Sequence, residues 1–199
     1  MGIDGRVSPI SYTRRYLRLC MRLVLLAVLA LNRAAAADQA DPRLGELFAR
    51  LRAAGSASDA VAMETEIWRI WGEITDPDAQ ALYARGTAAM AAGDGRTASA
   101  AFDLLIQLQP RFAEAWNKRA TLRYLVGDDD GSIADIRRTL VLEPRHFGAL
   151  SGLALILDRQ GRPDEAAQSL KAALAINPFL PSGQKRLQLL ERKAAGEPT

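Results

Sequence analysis

Three glycines, Gly93, Gly127 and Gly161, stand 34 residues apart, and three prolines, Pro110, Pro144 and Pro178, keep the same spacing in their own phase. A period of this length held over three copies commits a chain to a stacked architecture. Each copy is one supersecondary unit whose apolar face is buried only by its neighbour. The period therefore outranks local propensity when the chain is divided.

Set in register, the units are 79–112, 113–146 and 147–180. Each offers an apolar helix, a break at glycine, a second helix and a turn containing proline. The fourth place of each unit holds Leu82, Trp116 and Leu150, a bulky residue on the first helix. The eighth holds Gly86, Ala120 and Ala154, small enough for two helices to approach closely. On the second helix the twentieth place is small again (Ala98, Ser132, Ala166) and the twenty-fourth large (Phe102, Ile136, Leu170). Large side chains facing small ones let an antiparallel helix pair interlock and pass its packing to the next pair. The glycine relieves strain in the tight turn, and the proline stops one helix ahead of the next unit.

This pattern resembles the tetratricopeptide repeat family, whose unit is 34 residues long with the same order of large and small places. The resemblance covers about half the chain directly and implies an all-α solenoid of antiparallel helix pairs. Two places depart from the family pattern. The seventh, usually leucine, holds Arg85, Arg119 and then Leu153; the eleventh, usually tyrosine, holds Ala89, Arg123 and Leu157. These departures bear on the detail of packing between units.

The flanks extend the solenoid. Residues 38–78 read as an atypical leading helix pair. Asp41 and Pro42 start the first helix, which carries Leu44, Leu47, Phe48 and Leu51. Ser58 or Asp59 is expected to cap the second, which carries Val61, Met63, Ile67, Ile70 and Trp71. Trp68 and Trp71 share one face of that helix. They are expected to pack on the helices of the first full unit, the alternative being an aromatic anchor for a partner. Residues 181–194, with Leu187, Leu189 and Leu190, read as a helix that shields the last unit, and 195–199 as a tail.

Residues 1–37 differ in kind. Arg14, Arg15, Arg18 and Arg22 precede the uncharged run Leu23–Leu31, and the small residues Ala34–Ala37 follow. Basic region, short apolar core and small-residue site make a secretory signal peptide, with cleavage expected after Ala36 or Ala37. As a helix the apolar run would rise about 14 Å, against a hydrocarbon core of about 30 Å. A retained segment anchored in the inner membrane is the alternative, and Arg33 beside the cleavage site favours it. The expected location is the periplasm of a bacterium.

Charge and inventory narrow the function. Of 26 basic and 23 acidic residues, the leader holds six arginines and Asp4, which leaves 20 basic and 22 acidic side chains in residues 38–199. A body of net −2 lacks the electrostatic footprint of nucleic-acid binding. Cys20, the one cysteine, lies in the leader, and His146 is the one histidine, so metal sites and nucleophile–base pairs built on these residues are nearly excluded. The run Asp128-Asp129-Asp130-Gly131 lacks the alternating ligands of a calcium loop and reads as helix-capping acids. His146 reads as structural, and Arg137-Arg138 as a solvated outer face. Neither catalysis nor a cofactor is expected.

The family resemblance implies a peptide or helix bound along a concave face built from the first helices, at places 2, 5, 9 and 12 of each unit. Carried over, these are Gln80, Tyr83, Thr87 and Met90; Glu114, Asn117, Thr121 and Tyr124; and Gly148, Ser151, Leu155 and Asp158. Lys118, next to Asn117, is expected to reach the same face. Tyr83, Thr87, Met90, Asn117, Lys118, Thr121, Tyr124, Ser151 and Asp158 are the candidate binding residues, and about half of the twelve places are expected to pack against neighbouring first helices instead. The carboxylate clamp of some family members, made from lysines and asparagines at places 5 and 9, is not supported. The expected role is an adaptor or assembly factor of the bacterial envelope whose partner is a protein or peptide of unknown identity. A membrane enters only if the leader is retained.

Overall fold

The computed structural model describes residues 41–197. The leader, and with it the expectations of a signal peptide and of export, lies outside the described residues. Nine helices and no strand are found among the described residues: α1 (Pro42–Arg52), α2 (Ala57–Trp71), α3 (Pro77–Ala91), α4 (Gly95–Leu108), α5 (Ala113–Leu125), α6 (Asp129–Leu142), α7 (Phe147–Arg159), α8 (Pro163–Ile176) and α9 (Gly183–Ala194). This is an all-α helical repeat, with α3–α4, α5–α6 and α7–α8 as its three antiparallel pairs.

The period is written into the backbone. Gly93, Gly127 and Gly161 take left-handed φ values of 74°, 82° and 71°, which only glycine adopts freely. The residue after each glycine donates its N–H back across the turn: Asp94 to Ala89 O, Asp128 to Arg123 O and Arg162 to Leu157 O, all at 2.9 Å. Each first helix is thus closed by the same glycine-centred cap, which uses carbonyls that would otherwise go unpaired. At the other end of each pair the N–H of Gln109, Glu143 and Asn177 closes the second helix on Leu105, Thr139 and Ala173. Pro110, Pro144 and Pro178 follow and prevent continuation.

Within the pairs, small places take large partners. A methyl group on Gly86 would stand 2.7 Å from the Phe102 ring, so the helices meet there without room for a side chain. Ser132 Oγ donates to Ala120 O at 2.8 Å, and Ser169 Oγ donates to Leu150 O at 2.8 Å. These bonds satisfy buried hydroxyls while tying second helix to first.

In the second unit the arginines at places 7 and 11 substitute ionic contacts for apolar ones. Arg119 holds Asp135 through two bonds of 2.8 Å and reaches Asp103 of the preceding unit at 2.7 Å. Arg123 also reaches Asp135, at 3.0 Å. Asp135 is almost wholly buried, and two guanidinium groups balance its charge. Of the two outer arginines, Arg137 is exposed, whereas Arg138 lies 5.8 Å above the Trp116 ring and is not simply solvated.

The leading pair departs from expectation twice. Its second helix is capped by Ser56, not Ser58 or Asp59. Ser56 keeps an extended backbone and its Oγ accepts the N–H of Asp59, which places both alternatives in the first turn. Nor do its tryptophans pack on the first unit. Leu44, Phe48, Leu51, Ile67, Ile70 and Trp71 share one core with Phe147, Ala154 and Leu157 of α7, Leu170 and Leu174 of α8, and Leu190 of α9. Phe147 and His146, buried at the junction of the second and third units, are the rings that Trp68 and Trp71 meet.

Candidate functional site

The first helices α3, α5 and α7 begin at the junctions between units and finish at the glycine turns. The candidate residues divide between these two edges.

At the starting edge the polar residues are spent inside the molecule. Glu114 is buried, and its Oε2 accepts from His146 Nε2 at 2.9 Å and from Asn117 Nδ2 at 3.0 Å. Its Oε1 lies 3.0 Å from the Lys118 ammonium. Burial pushes the Glu114 carboxyl up, but the imidazole and the ammonium outweigh it and hold the group below the ordinary glutamate range. Nδ1 of His146 accepts the N–H of Ala149 at 3.0 Å and so caps α7. With Nδ1 an acceptor, Nε2 is the nitrogen that carries the proton to Glu114. Asn117 and Lys118, expected to face a ligand, are committed to this cluster.

Above the cluster lies α2. Trp71 stacks on His146 with ring centroids 4.3 Å apart and planes 7° from parallel. Trp68 meets His146, Phe147 and Trp71 edge-on. Tyr83 packs edge-on between Phe102 and Phe112, with its hydroxyl beside Gly72, and burial pushes the phenol up. Tyr83 is therefore part of the core rather than of an open face.

The finishing edge is different. Thr87 and Thr121 turn their hydroxyls back to Tyr83 O and Asn117 O. Tyr124 lies under the Arg159 guanidinium at 4.1 Å, and Asp158 pairs with Lys193 of α9 at 2.7 Å. Ser151 and Leu155 are half-buried. Met90 lines a cavity of about 410 Å³ with Gly93, Arg96, Leu122, Leu125 and Val126, between the turns of the first two units. Leu125 is 70% and Val126 79% exposed. Apolar side chains left out at a cavity mouth are what a binding edge requires.

Leu125 and Val126 were not among the residues expected from the sequence, although a signal exists. They occupy the two places before the turn glycine, where the other units carry Ala91-Ala92 and Arg159-Gln160. Asp128 and Asp129 do not gather as ligands. Asp128 caps α6 by accepting the Gly131 N–H, and Asp129 pairs with Arg159.

A family model described as tetratricopeptide repeat matches residues 83–140 and 126–181. A protein of Rhizobium etli named as TPR repeat-containing is 33% identical over 157 residues, which make up 79% of this chain and 77% of that protein. Tetratricopeptide repeat protein 36 of Mus musculus is 37% identical over 123 residues, 58% of this chain and 63% of the mouse protein. The match therefore spans less than two thirds of that mammalian relative. Among solved structures, the first TPR of Spaghetti (RPAP3), bound to the HSP90 peptide SRMEEVD, superposes with a TM-score of 0.57 at 15% identity, covering 59% of this chain and 96% of its own. MamA superposes with a TM-score of 0.56 at 19% identity, covering 73% of this chain and 82% of its own. At these identities the structural likeness concerns the fold.

Proposed function

The chain belongs to the tetratricopeptide repeat family, and from that premise we propose that it is a non-catalytic interaction module taking a peptide or helix at the finishing edge of its first helices. The observation that carries this reading is the apolar cavity shared by Met90, Leu122, Leu125 and Val126. Its volume suits a bulky apolar side chain, with Arg96 and Arg123 among its lining residues and Thr121 and Tyr124 on the same first helix as its far wall. Peptides with a leucine, methionine or phenylalanine beside an acid suit that combination of apolar and cationic lining.

Fold neighbours support a peptide ligand: the Spaghetti domain is bound to an HSP90 peptide, and the TPR2B domain of yeast Sti1 is in a pHsp70 complex. Asn117 and Lys118 are engaged by Glu114, so a terminal carboxylate held by that pair is not part of the proposal. Panning a random peptide library on the full chain and on Met90→Asp tests the reading. Enriched apolar–acidic peptides that lose at least tenfold in affinity for the variant support it. Peptides that bind both equally overturn it.

We further propose that the chain is exported by cleavage after Ala36 or Ala37 and acts as an adaptor or assembly factor in the bacterial envelope. The support is the arrangement of arginines, apolar run and alanines in residues 1–37. Fractionation with intact-mass measurement decides. A soluble periplasmic species starting near Asp38 is expected, and a full-length species in the membrane fraction would make the protein a tethered scaffold.

A further inference from the structure

Helix α2 crosses the repeats against their order. Glu64 Oε2 accepts from Asn177 Nδ2 at 2.9 Å, at the end of the third unit. One turn later Trp68 fits against Gly148, where an added methyl group would come within 2.7 Å of the indole, and the Lys118 ammonium of the second unit stands 5.8 Å from the ring. Trp71 stacks on His146 at the junction of the second and third units. Gly72, just past the helix, lies beside the Tyr83 hydroxyl of the first unit. One helix thus runs from the third unit to the first along the starting edge of α3, α5 and α7.

We propose that this starting edge is a helix-binding site, that α2 is its resident occupant, and that it exchanges α2 for a partner helix of the same pattern: a carboxylate, an aromatic residue four places on and a second aromatic three places beyond that. The inference concerns the edge opposite the Met90–Val126 cavity and does not depend on it.

The contacts are those of a receptor and not of an undifferentiated core. An amide takes the carboxylate, a glycine leaves a notch for one ring, and an imidazole face takes the other. Glu64, Trp68 and Trp71 share one helical face, and Trp68 Nε1 donates to Glu64 Oε1 at 3.2 Å, so the ligand pattern is held together before it meets the edge. Recognition of a helix in a groove works through anchors at such spacing. The short connection 72–76 keeps α2 at high effective concentration, so it holds the site without an exceptional intrinsic affinity. The seat is also imperfect. Trp71 Nε1 is buried and finds no acceptor among the described residues, a cost that a partner with phenylalanine at that place does not carry.

The test uses the full chain with Trp68→Ala and Trp71→Ala, and a fluorescein-labelled synthetic peptide of residues 57–73 followed by anisotropy. The expected result is saturable binding at least tenfold tighter than to the unchanged chain and lost when Gly148→Leu is added. A peptide with Trp71→Phe is expected to bind at least as tightly. Equal binding to both chains, binding to neither, or binding that survives Gly148→Leu overturns the proposal. Where the double variant does not fold, hydrogen exchange on the unchanged chain decides. Amides of α2 exchanging at least tenfold faster than those of α5 and α6 support a separately opening occupant, and equal rates overturn it. Neither outcome bears on peptide binding at Met90.

Discussion

At the starting edge of the first helices the repeats meet α1 and α2; at the finishing edge Leu125 and Val126 meet solvent, and only the third unit reaches α9, through Asp158. The covered edge is rich in polar groups, yet Asn117, Lys118 and His146 are all drawn to the buried Glu114 carboxylate there. The open edge is rich in apolar groups, and Leu125 and Val126 stand exposed. Polarity alone would have assigned the two edges the other way round. Their comparison teaches that coverage decides which face of a repeat is available to a ligand. A buried carboxylate with three partners is architecture, whereas uncovered leucine and valine beside a cavity are a surface awaiting contact.

The sharpest way to break the comparison is to remove the cover. Trp71 is 1% exposed and stacked on His146, so Trp71→Ala should cost roughly 3–5 kcal/mol, a fall of roughly 10 °C in Tm for a chain of this size. Calorimetry on the full chain measures it. A fall of less than about 1 kcal/mol would mean that the starting edge is not sealed by α2 in solution.

Midway between the edges, Ala120 is 2% exposed and receives Ser132 on its carbonyl. Ala120→Leu should cost roughly 1–3 kcal/mol by overpacking. Unchanged thermal stability would place the α5–α6 contact elsewhere and undo the division into edges.

Acid sharpens the contrast more gently. Glu114 has its carboxyl lowered in the folded protein, burial opposing the shift while His146 and Lys118 prevail. A depressed carboxyl contributes stability that is fully present above its unfolded value, about 4.3, and is lost as pH falls through the folded value. The groups facing it are His146, Lys118 and Asn117. Denaturation midpoints for the unchanged chain should therefore drop below about pH 4.3 more steeply than those for Glu114→Gln. Parallel profiles would show that the carboxylate is not buried in charge balance. Variants at the finishing edge should leave the profile unchanged.

What the sequence disclosed and what it concealed divide along the same line. The 34-residue period carried the fold because its signals are local: a glycine for each left-handed turn, a proline after each second helix, a small place opposite Phe102. The placement of α2 was not local. Glu64 finds Asn177 across 113 residues, and an amphipathic helix states that it packs without stating where. Glu114 and His146 are 32 residues apart, each ambiguous alone, and only their contact turns a presumed ligand-facing acid into a core pair. Met90 and Tyr124 could be read as surface candidates from their places in the unit. The exposure of Leu125 and Val126 follows from what fails to cover them, which no single stretch of sequence records.

The smallest expected effect on stability is also the most telling about function. Val126 is 79% exposed at the mouth of the cavity, so Val126→Asp removes little buried area and should change unfolding free energy by no more than about 0.5 kcal/mol. If the finishing edge takes apolar–acidic ligands, the same substitution sets a carboxylate against an acidic partner and removes an apolar contact, and affinity for peptides selected on the unchanged chain should fall at least tenfold, or about 1.4 kcal/mol. Stability and binding then respond in opposite proportion at the two edges: Trp71→Ala lowers the melting temperature, while Val126→Asp leaves it in place and costs the protein its ligand. Peptide affinity that survives Val126→Asp in a folded chain would move the ligand away from this edge, and the exposure of Leu125 and Val126 would then have no bearing on recognition.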